Sequence, residues 1–423
     1  MSRCLRFDYV YPWRSVTSAV VCCALLHIAA CSDSHGTGRV DVPAEAPDIS
    51  DAGGRDCGDD SAQGDVAPDL WNPTAPGPFP VGVTELHLHD PVRDREVRTV
   101  VWYPAAPDGQ ETAVYLLFVE GTAFVDAPAD LSAAPYPMVL FSHGFAGIAE
   151  QSITLMEHLA GHGYVVAAMD HEGNMIKDAG ADDDEVAAVA LERPYDLRFA
   201  YEEVAALAAT SGHLLSGLAD PESVAVAGHS FGGYTALLAA GGTVDVDAAQ
   251  VACDAGTAAD IFCPYIPFWP AGEVVALDPP LPHLDAVFTL CPGGSAAFGP
   301  QGLAGISVPA LIFGGSRDET TPMDIEVHPI YESLPPPKAE AVIADAAHLS
   351  FTNICDIPIA AEVLDDFCGV EGMRGADGTF PIVNALATAF LDIHLKGDAS
   401  HAWLLDQEAL DAYFGAVTWT VVP

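Results

Sequence analysis

The spacing of hydrophobic and polar positions changes along this 423-residue chain. Between residues 81 and 105 the two kinds alternate, in VTELHLHDPV and REVRTVVWYPA, and this period predicts two antiparallel strands. Further along, short unbroken apolar runs replace the alternation, as is typical of central parallel strands covered on both faces. Six such runs are present, at residues 138–141, 164–168, 224–227, 286–288, 310–313 and 341–343.

Segments with helical spacing separate these runs, including AEQSITLMEHLAGHG and YDLRFAYEEVAALAATSGHLLSGLAD. A last helix places Ile382, Leu386 and Phe390 on one face and is closed by Gly397. The acidic stretch at 179–188, in contrast, is expected to be a solvated loop, and a calcium-binding loop is the alternative. Alternating strands and helices predict an α/β fold with a mostly parallel, doubly wound sheet and helices on both faces.

Residues 242–284 interrupt this alternation with an irregular, proline-rich insertion that contains the cluster FCPYIPFW. A long insertion between core strands is typical of a lid or a pocket wall, and a plain surface loop is the alternative. We expect Phe268 and Trp269, in this cluster, to line a substrate pocket.

The first 78 residues are expected to precede the folded domain, which spans 79–423. Residues 1–30 place arginines before a short apolar run that ends at Cys31. This arrangement resembles a bacterial lipoprotein signal, in which the cysteine is acylated, and a plain secretory signal is the alternative. Residues 31–78 are rich in Asp, Gly and Pro and predict a solvated tether. We therefore expect an exported protein, anchored to the outer membrane or cell surface through a lipid on Cys31 and otherwise secreted or periplasmic.

Acidic residues outnumber basic ones by 60 to 15, which gives a formal net charge of −45. Such a chain lacks the basic surface that nucleic acid requires, so nucleic-acid binding is excluded as a function. The same charge disfavours strongly anionic substrates and direct docking on anionic headgroups. Neutral substrates are the better match.

Export would place six cysteines in an oxidising compartment, after those of the signal and the acylated Cys31 are set aside. Six cysteines allow fifteen connectivities. We expect the short-range pairs Cys253–Cys263 and Cys355–Cys368. The absence of a CxxC pair in the sequence argues against a zinc site.

The stretch SVAVAGHSFGGYTALLAAG, at residues 223–241, joins an apolar run to a helical pattern through a glycine-rich turn. A G-x-S-x-G sequence in this strand–turn–helix context is a nucleophile elbow, which exposes its serine at the carboxyl edge of the sheet. We therefore predict that Ser230 is a nucleophile, with the insertion at 242–284 following its helix.

A serine nucleophile needs a base and an acid that orients the base. Asp318 follows the apolar run at 310–313, and His348 follows the run at 341–343. The order Ser230, Asp318, His348 is that of an α/β-hydrolase triad, and all three residues follow strands. Three other carboxylates compete with Asp318 for the role of the acid: Glu319, Asp324 and Asp285. This chemistry uses no metal and no cofactor.

An oxyanion hole for such a nucleophile consists of two backbone amides. One is expected from Phe231, the residue after the serine, and the other from Phe145, in the loop SHGFAG after the first central strand. His143 and His229 flank the site, and we expect them to shape the pocket rather than to transfer protons.

Together, YPMVLFSHGFAG, LAGHGYVVAAMDHEGN, ERPYDLRF, AGHSFGGYTAL and HLSF resemble the secreted bacterial hydrolases related to platelet-activating-factor acetylhydrolase, often labelled dienelactone-hydrolase-like. These border on the cutinase-like polyester hydrolases. The resemblance covers about residues 80–396 and implies attack on short acyl esters without a metal. Acetylhydrolases carry the acid of their triad after the strand that follows the elbow strand. This chain has Leu290-Cys291-Pro292 there and no carboxylate. The resemblance therefore implies that Asp318 is the acid, as in cutinase-like enzymes. Dienelactone hydrolases use a cysteine nucleophile, and a serine here argues against that activity.

Two classes of function follow. The first is a serine esterase that cleaves small or polymeric carboxylic esters with short to medium acyl groups, including phospholipid-derived ones. The second is a non-catalytic surface lipoprotein that uses the hydrolase fold as a binding scaffold. The presence of all predicted site residues favours the esterase.

Overall fold

The computed structural model describes residues 74–116, 118–256 and 261–423. The predicted signal peptide, most of the predicted tether, Cys31 and Cys57 lie outside this part of the chain. Its strands are β1 (Val81–Asp90), β2 (Arg95–Pro104), β3 (Thr112–Tyr115), β4 (Val119–Val125), β5 (Tyr136–Ser142), β6 (Val165–Met169), β7 (Ala219–His229), β8 (Val244–Asp245), β9 (Val274–Val275), β10 (Leu284–Leu290), β11 (Ala310–Gly315), β12 (Lys338–Ile343) and β13 (Val417–Val422).

Helices connect most of these strands. They are α1 (Ile153–Gly161), α2 (Asp183–Ala208), α3 (Phe231–Ala239), α4 (Val246–Asp254), α5 (Ser295–Gly302), α6 (His328–Ser333), α7 (Pro358–Val363), α8 (Asp365–Cys368), α9 (Ala376–Leu391) and α10 (Gln407–Tyr413).

Eleven of the described strands form one sheet, in the order β13-β12-β11-β10-β7-β5-β6-β2-β1-β4-β3. Neighbours from β12 to β6 pair in parallel, and they correspond to the six apolar runs. β1 and β2 pair antiparallel over their full lengths, and β2 joins β6 antiparallel. The predicted antiparallel opening and the predicted parallel centre are both confirmed.

The central strands are apolar throughout because both faces of the sheet are covered. Met138 and Leu140 of β5 pack into one core together with Leu197 of α2 and Leu237 of α3. The intervening Val139 and Phe141 point to a second core, formed with helices α1 and α9. This arrangement confirms the predicted doubly wound α/β architecture.

Helix α2 begins earlier than the sequence pattern predicts. The predicted solvated loop at 179–188 is wrong from Asp183 onward, because the acidic residues form the first turn of α2. The Asp182 backbone amide donates to the Glu185 carboxylate at 2.9 Å, and carboxylates in a first turn are stabilised by the helix dipole. Pro194 lies inside the helix, which ends at Ala208 rather than near residue 220.

Helix α9 continues as a π-helical turn over Asp392–Lys396 and ends at Gly397, whose φ of 66° lies in the left-handed region. Its predicted apolar face is buried. The helix is long and apolar enough to cross a membrane, but 72% of its apolar window is buried inside the protein. It therefore packs as a core helix of this fold.

The insertion at 242–284 contains α4 and a small antiparallel pair formed by β8 and β9. A disulfide joins Cys253 and Cys263 within it, and a second one joins Cys355 and Cys368, so both predicted pairs are confirmed. Such bonds are typical of extracellular or periplasmic proteins.

Candidate active site

Ser230 occupies a strained turn between β7 and α3. Its φ of 56° and ψ of −116° are unusual for a residue with a side chain and are found mainly at functional sites. Its amide donates to the Leu290 carbonyl at 2.9 Å, and its own carbonyl accepts from the Gly233 amide at 2.8 Å. These backbone hydrogen bonds hold the turn in place at the carboxyl end of β7.

Glycines allow this turn to form. A Cβ on Gly228 would overlap the Gly232 carbonyl, and a Cβ on Gly232 would overlap the carbonyl of Ser142 at the end of β5. A Cβ on Gly233 would lie 2.7 Å from the Pro292 Cβ. The backbone therefore approaches its neighbours more closely than any side chain permits.

Asp318 and His348 form a buried hydrogen-bonded pair, each about 5% exposed. The Asp318 Oδ2 to His348 Nδ1 distance is 2.8 Å. Because Nδ1 donates to the carboxylate, Nε2 is the ring nitrogen that remains for a second partner. Among the competing carboxylates, Glu319 and Asp324 are exposed, and Asp285 bonds the Val224 amide near the opposite end of the sheet. Asp318 is thus the carboxylate that meets His348.

The Asp318 carboxylate has several further partners. Its Oδ1 accepts from the amides of Thr320 and Thr321 at 2.9 and 2.8 Å, and the Thr321 Oγ1 lies 2.8 Å from Oδ2. Burial raises the pKa of Asp318, but the opposing effects of His348 and these hydrogen bonds are larger, so its pKa is lowered overall. The group is an anion at neutral pH.

Cys291 lies beside this pair, at the position where the resemblance would place an acid. Its thiol donates to Asp318, and burial together with the carboxylate raises its pKa well above the ordinary value. Within the part of the chain that the structure describes, one cluster has the composition of a metal site. It consists of Cys291, Asp318 and His348, whose ligand atoms all lie within 4.8 Å of one another. Asp318 and His348 bind each other, however, and the Cys291 thiol donates to Asp318, so all three ligand atoms already have partners within the cluster.

His229 contacts the His348 residue directly. The two rings lie 4.6 Å apart, and the His229 Nε2 donates to the His348 carbonyl at 3.0 Å. Burial and the neighbouring His348 lower the pKa of His229 to about 3, so its ring is neutral. This contact also connects Ser230, the next residue, with the loop of His348.

His143 is fully buried below the loop that follows β5. Its Nδ1 donates to the Gly144 carbonyl at 2.7 Å, and its Nε2 accepts from the His171 amide at 3.2 Å. Burial and the nearby Arg193 charge hold its pKa well below the ordinary value. The ring is therefore neutral and shapes the loop.

Phe145 and Phe231 lie side by side next to the serine. Phe231 is the first residue of α3, so its amide has no acceptor within the helix. A Cβ on Gly144, the neighbour of Phe145, would lie 3.5 Å from the Ser230 Cβ. The two phenyl rings stack with centroids 6.3 Å apart. The loop after β5 and the start of α3 thus meet at Ser230.

The two aromatic residues predicted for a pocket wall occupy different environments. Phe268 is 55% exposed, whereas Trp269 is 4% exposed and donates its indole N–H to the Ala187 carbonyl at 2.8 Å. Trp269 stacks on Tyr234 in the core, 6.1 Å away. Two other aromatic residues of the insertion contact the Phe231 ring beside Ser230: Phe262, with ring centroids 4.8 Å apart, and Tyr265, at 6.4 Å.

The sheet, the strained serine turn and the Asp–His pair are those of an α/β hydrolase. A family model described as chlorophyllase matches residues 121–256, about a third of the chain. The matched segment includes Phe145 and Ser230 and ends before Asp318. No curated protein shows significant similarity to the chain. Fold and family match together indicate an ester hydrolase of the α/β-hydrolase type, while the narrower acetylhydrolase resemblance stays a prediction.

Proposed function

We propose that this protein is a serine esterase that hydrolyses carboxylic esters through an acyl-enzyme. Ser230 is the nucleophile, His348 the base and Asp318 the acid that orients His348. The main support is the 2.8 Å bond between Asp318 and His348, formed beside a serine in a strained elbow. No cofactor enters the reaction.

In the first half of the reaction, the Ser230 Oγ attacks the ester carbonyl carbon while its proton passes to the His348 Nε2. The negative charge that develops on the carbonyl oxygen is stabilised by the amides of Phe145 and Phe231. The bond from carbon to the alkoxy oxygen then breaks, and His348 returns the proton to the leaving alcohol.

In the second half, a water molecule attacks the acyl carbon and gives its proton to His348. The bond to the Ser230 Oγ breaks, the serine recovers the proton, and the carboxylic acid leaves. Asp318, lowered in pKa and anionic, stabilises the imidazolium formed in each half.

The substrates we propose are esters with short to medium acyl groups, either small molecules, including phospholipid-derived ones, or polymers, and neutral esters are the preferred ones among them. The net charge of −45 disfavours anionic substrates, and the phenyl rings of Phe145 and Phe231 give the surroundings of the serine an apolar character.

We place the enzyme at the bacterial cell surface, with the lipid on Cys31 as its anchor. Replacing Cys31 by alanine should then move the protein from the membrane fraction to the soluble fraction; unchanged fractionation would argue against the anchor.

Turnover of p-nitrophenyl esters from acetate to palmitate tests the activity. We expect Ser230→Ala to lower kcat on the order of 10⁵- to 10⁶-fold, as loss of a serine nucleophile does elsewhere. Ser216→Ala, in the loop after α2, is the matched control and should leave kcat unchanged. A folded wild-type protein without turnover would instead favour the binding scaffold.

A further inference from the structure

Arg193 is a fully buried cation on α2 that the proposed reaction does not use. Burial lowers the pKa of its guanidinium to about 9, which keeps it charged at neutral pH. A buried charge is costly unless it is fully hydrogen-bonded, so the contacts of Arg193 show what it stabilises.

One side of the guanidinium binds the end of β5 and the loop that follows it. Its Nη2 donates to the His143 carbonyl and, at 3.1 Å, to the Ser142 Oγ. His143 precedes Gly144 and Phe145, so this contact fixes the start of the loop that carries the Phe145 amide.

The other side binds α3, the helix that begins directly after Ser230. The Arg193 Nε donates to the Thr235 Oγ1 at 3.1 Å, and the guanidinium carbon lies 4.6 Å from the centre of the Phe231 ring. The Nη1 donates to the Asn174 Oδ1 at 2.6 Å. One side chain therefore joins the two segments whose amides we assign to the oxyanion hole.

A second layer of hydrogen bonds holds this arrangement. His171 Nδ1 donates to Asp196 at 3.1 Å, so its Nε2 is the acceptor for the Ser142 hydroxyl at 2.9 Å. The Ser142 hydroxyl therefore donates its hydrogen to His171, and its oxygen accepts a hydrogen bond from Arg193. Asp196 is fully buried and also binds Arg93 and Arg95 at distances of 2.7 to 3.0 Å.

We propose that Arg193 is a positioning residue that sets the distance between the Phe145 and Phe231 amides. The proposal rests on the proposed function and assigns no contact between Arg193 and substrate. It also gives a role to the ERPYDLRF segment, since Arg193 and Asp196 are its two buried charged residues.

The electrostatics agree with such a role. A cation beside the first turns of a helix opposes the positive end of the helix dipole, which is unfavourable in the free protein. The same positive potential becomes favourable when an oxyanion forms at the Phe231 amide. Arg193 should therefore matter more to the transition state than to substrate binding.

Kinetics of Arg193→Met and Arg193→Lys test the proposal, with rates normalised to the sites that react with a fluorophosphonate. We expect kcat to fall about 10²- to 10³-fold in both variants, as for loss of one oxyanion donor, while KM stays within about threefold of the wild-type value. The affinity for a boronic-acid transition-state analogue should fall in parallel with kcat/KM. Arg198→Met, on the same helix, is the control, because Arg198 binds the Pro279 carbonyl at the surface and should leave kcat unchanged.

A purely structural role predicts a different result: fewer reactive sites and a lower Tm, with a wild-type kcat for each site. That result, or a wild-type kcat in folded Arg193→Lys, would overturn the proposal. Partial recovery of kcat by non-denaturing guanidinium in Arg193→Ala would support it, and no recovery in folded protein would count against it. Failure of the proposed function would be seen separately, as no ester hydrolysis by folded wild type or as unchanged hydrolysis by Ser230→Ala.

Discussion

At the scale of single residues, the site depends on how a few side chains are fixed by their neighbours. The Asp318 carboxylate receives hydrogen bonds from two backbone amides, from His348, from Cys291 and from Thr321. This many donors fix the plane of the carboxylate, and through the 2.8 Å bond they fix the ring of His348 as well. His348 is therefore held in one tautomer before any substrate arrives.

Asp318→Asn should lower kcat about 10⁴-fold, because an amide neither favours the His348 Nδ1–H tautomer nor stabilises the imidazolium. Its Oδ1 can still accept from the amides of Thr320 and Thr321, so we expect the fold to persist. Hydrolysis of p-nitrophenyl acetate gives the measurement. Glu319→Gln is the matched control, and a larger loss in that variant than in Asp318→Asn would refute the assignment of the acid.

The sequence alone predicts Ser230, Asp318 and His348, because each follows an apolar run and parallel strands end at one edge of a sheet. It does not predict Thr321 or Cys291 as partners of Asp318, since those contacts depend on how two loops fold back. The sequence does not predict the role of Arg193 either, because its burial and its partners follow only from the packing of α2 against β5 and α3. The sequence predicts Trp269 as a pocket residue, whereas it packs in the core, because aromatic side chains serve both as pocket walls and as core.

At the scale of elements, the elbow shows why glycine positions around Ser230 are fixed by the fold. α3 packs so closely on the end of β5 that a Cβ on Gly232 would overlap the Ser142 carbonyl. Backbone cannot give way there without separating the helix from the sheet.

Gly232→Ala should therefore destabilise the protein by about 3 kcal/mol and abolish ester hydrolysis. Urea denaturation and the p-nitrophenyl acetate assay measure the two effects. In Gly180→Ala the new Cβ meets nothing within 4 Å, so its stability should stay within about 0.5 kcal/mol of wild type. Similar behaviour of the two variants would contradict the described elbow.

Helix α2 illustrates why a sequence pattern does not predict the boundaries of an element. The sequence predicts a solvated loop at 179–188 and a helical pattern from Tyr195, yet the helix begins at Asp183, with the acidic residues in its first turn and Pro194 inside it. Tertiary contacts of Arg193 and Asp196 on either side of the proline hold this helix against the sheet. Periodicity predicted the interior of the helix, whereas these contacts decide where it starts.

At the scale of the whole molecule, burial of neutral histidines makes stability sensitive to acid. His158 of α1 has an imidazole Nε2 without a hydrogen-bond partner among the described residues, and its ring lies 4.3 Å from that of His162. Burial and His162 lower the pKa of His158 to about 3, from 6.5. Between these two values the unfolded chain binds a proton that the folded protein does not bind, so stability falls as the pH falls.

Each such histidine contributes about 1.4 kcal/mol per pH unit to this loss. From about pH 6 to about pH 4, wild type should lose about 3 kcal/mol more of its unfolding free energy than His158→Phe. Phenylalanine keeps the ring contact but does not titrate. Urea denaturation at each pH gives the comparison, and parallel pH curves for the two proteins would show that His158 is not buried in its neutral form.

The central claim is that Ser230 forms the covalent intermediate, and its most direct test is the site of reaction with an alkyl fluorophosphonate. Folded, oxidised protein is treated with the reagent, digested, and its peptides are examined by mass spectrometry. The account predicts one phosphonyl adduct per chain, on Ser230, loss of ester hydrolysis in step with labelling, and no adduct in Ser230→Ala. An unlabelled Ser230, or ester hydrolysis that persists in Ser230→Ala, would contradict it.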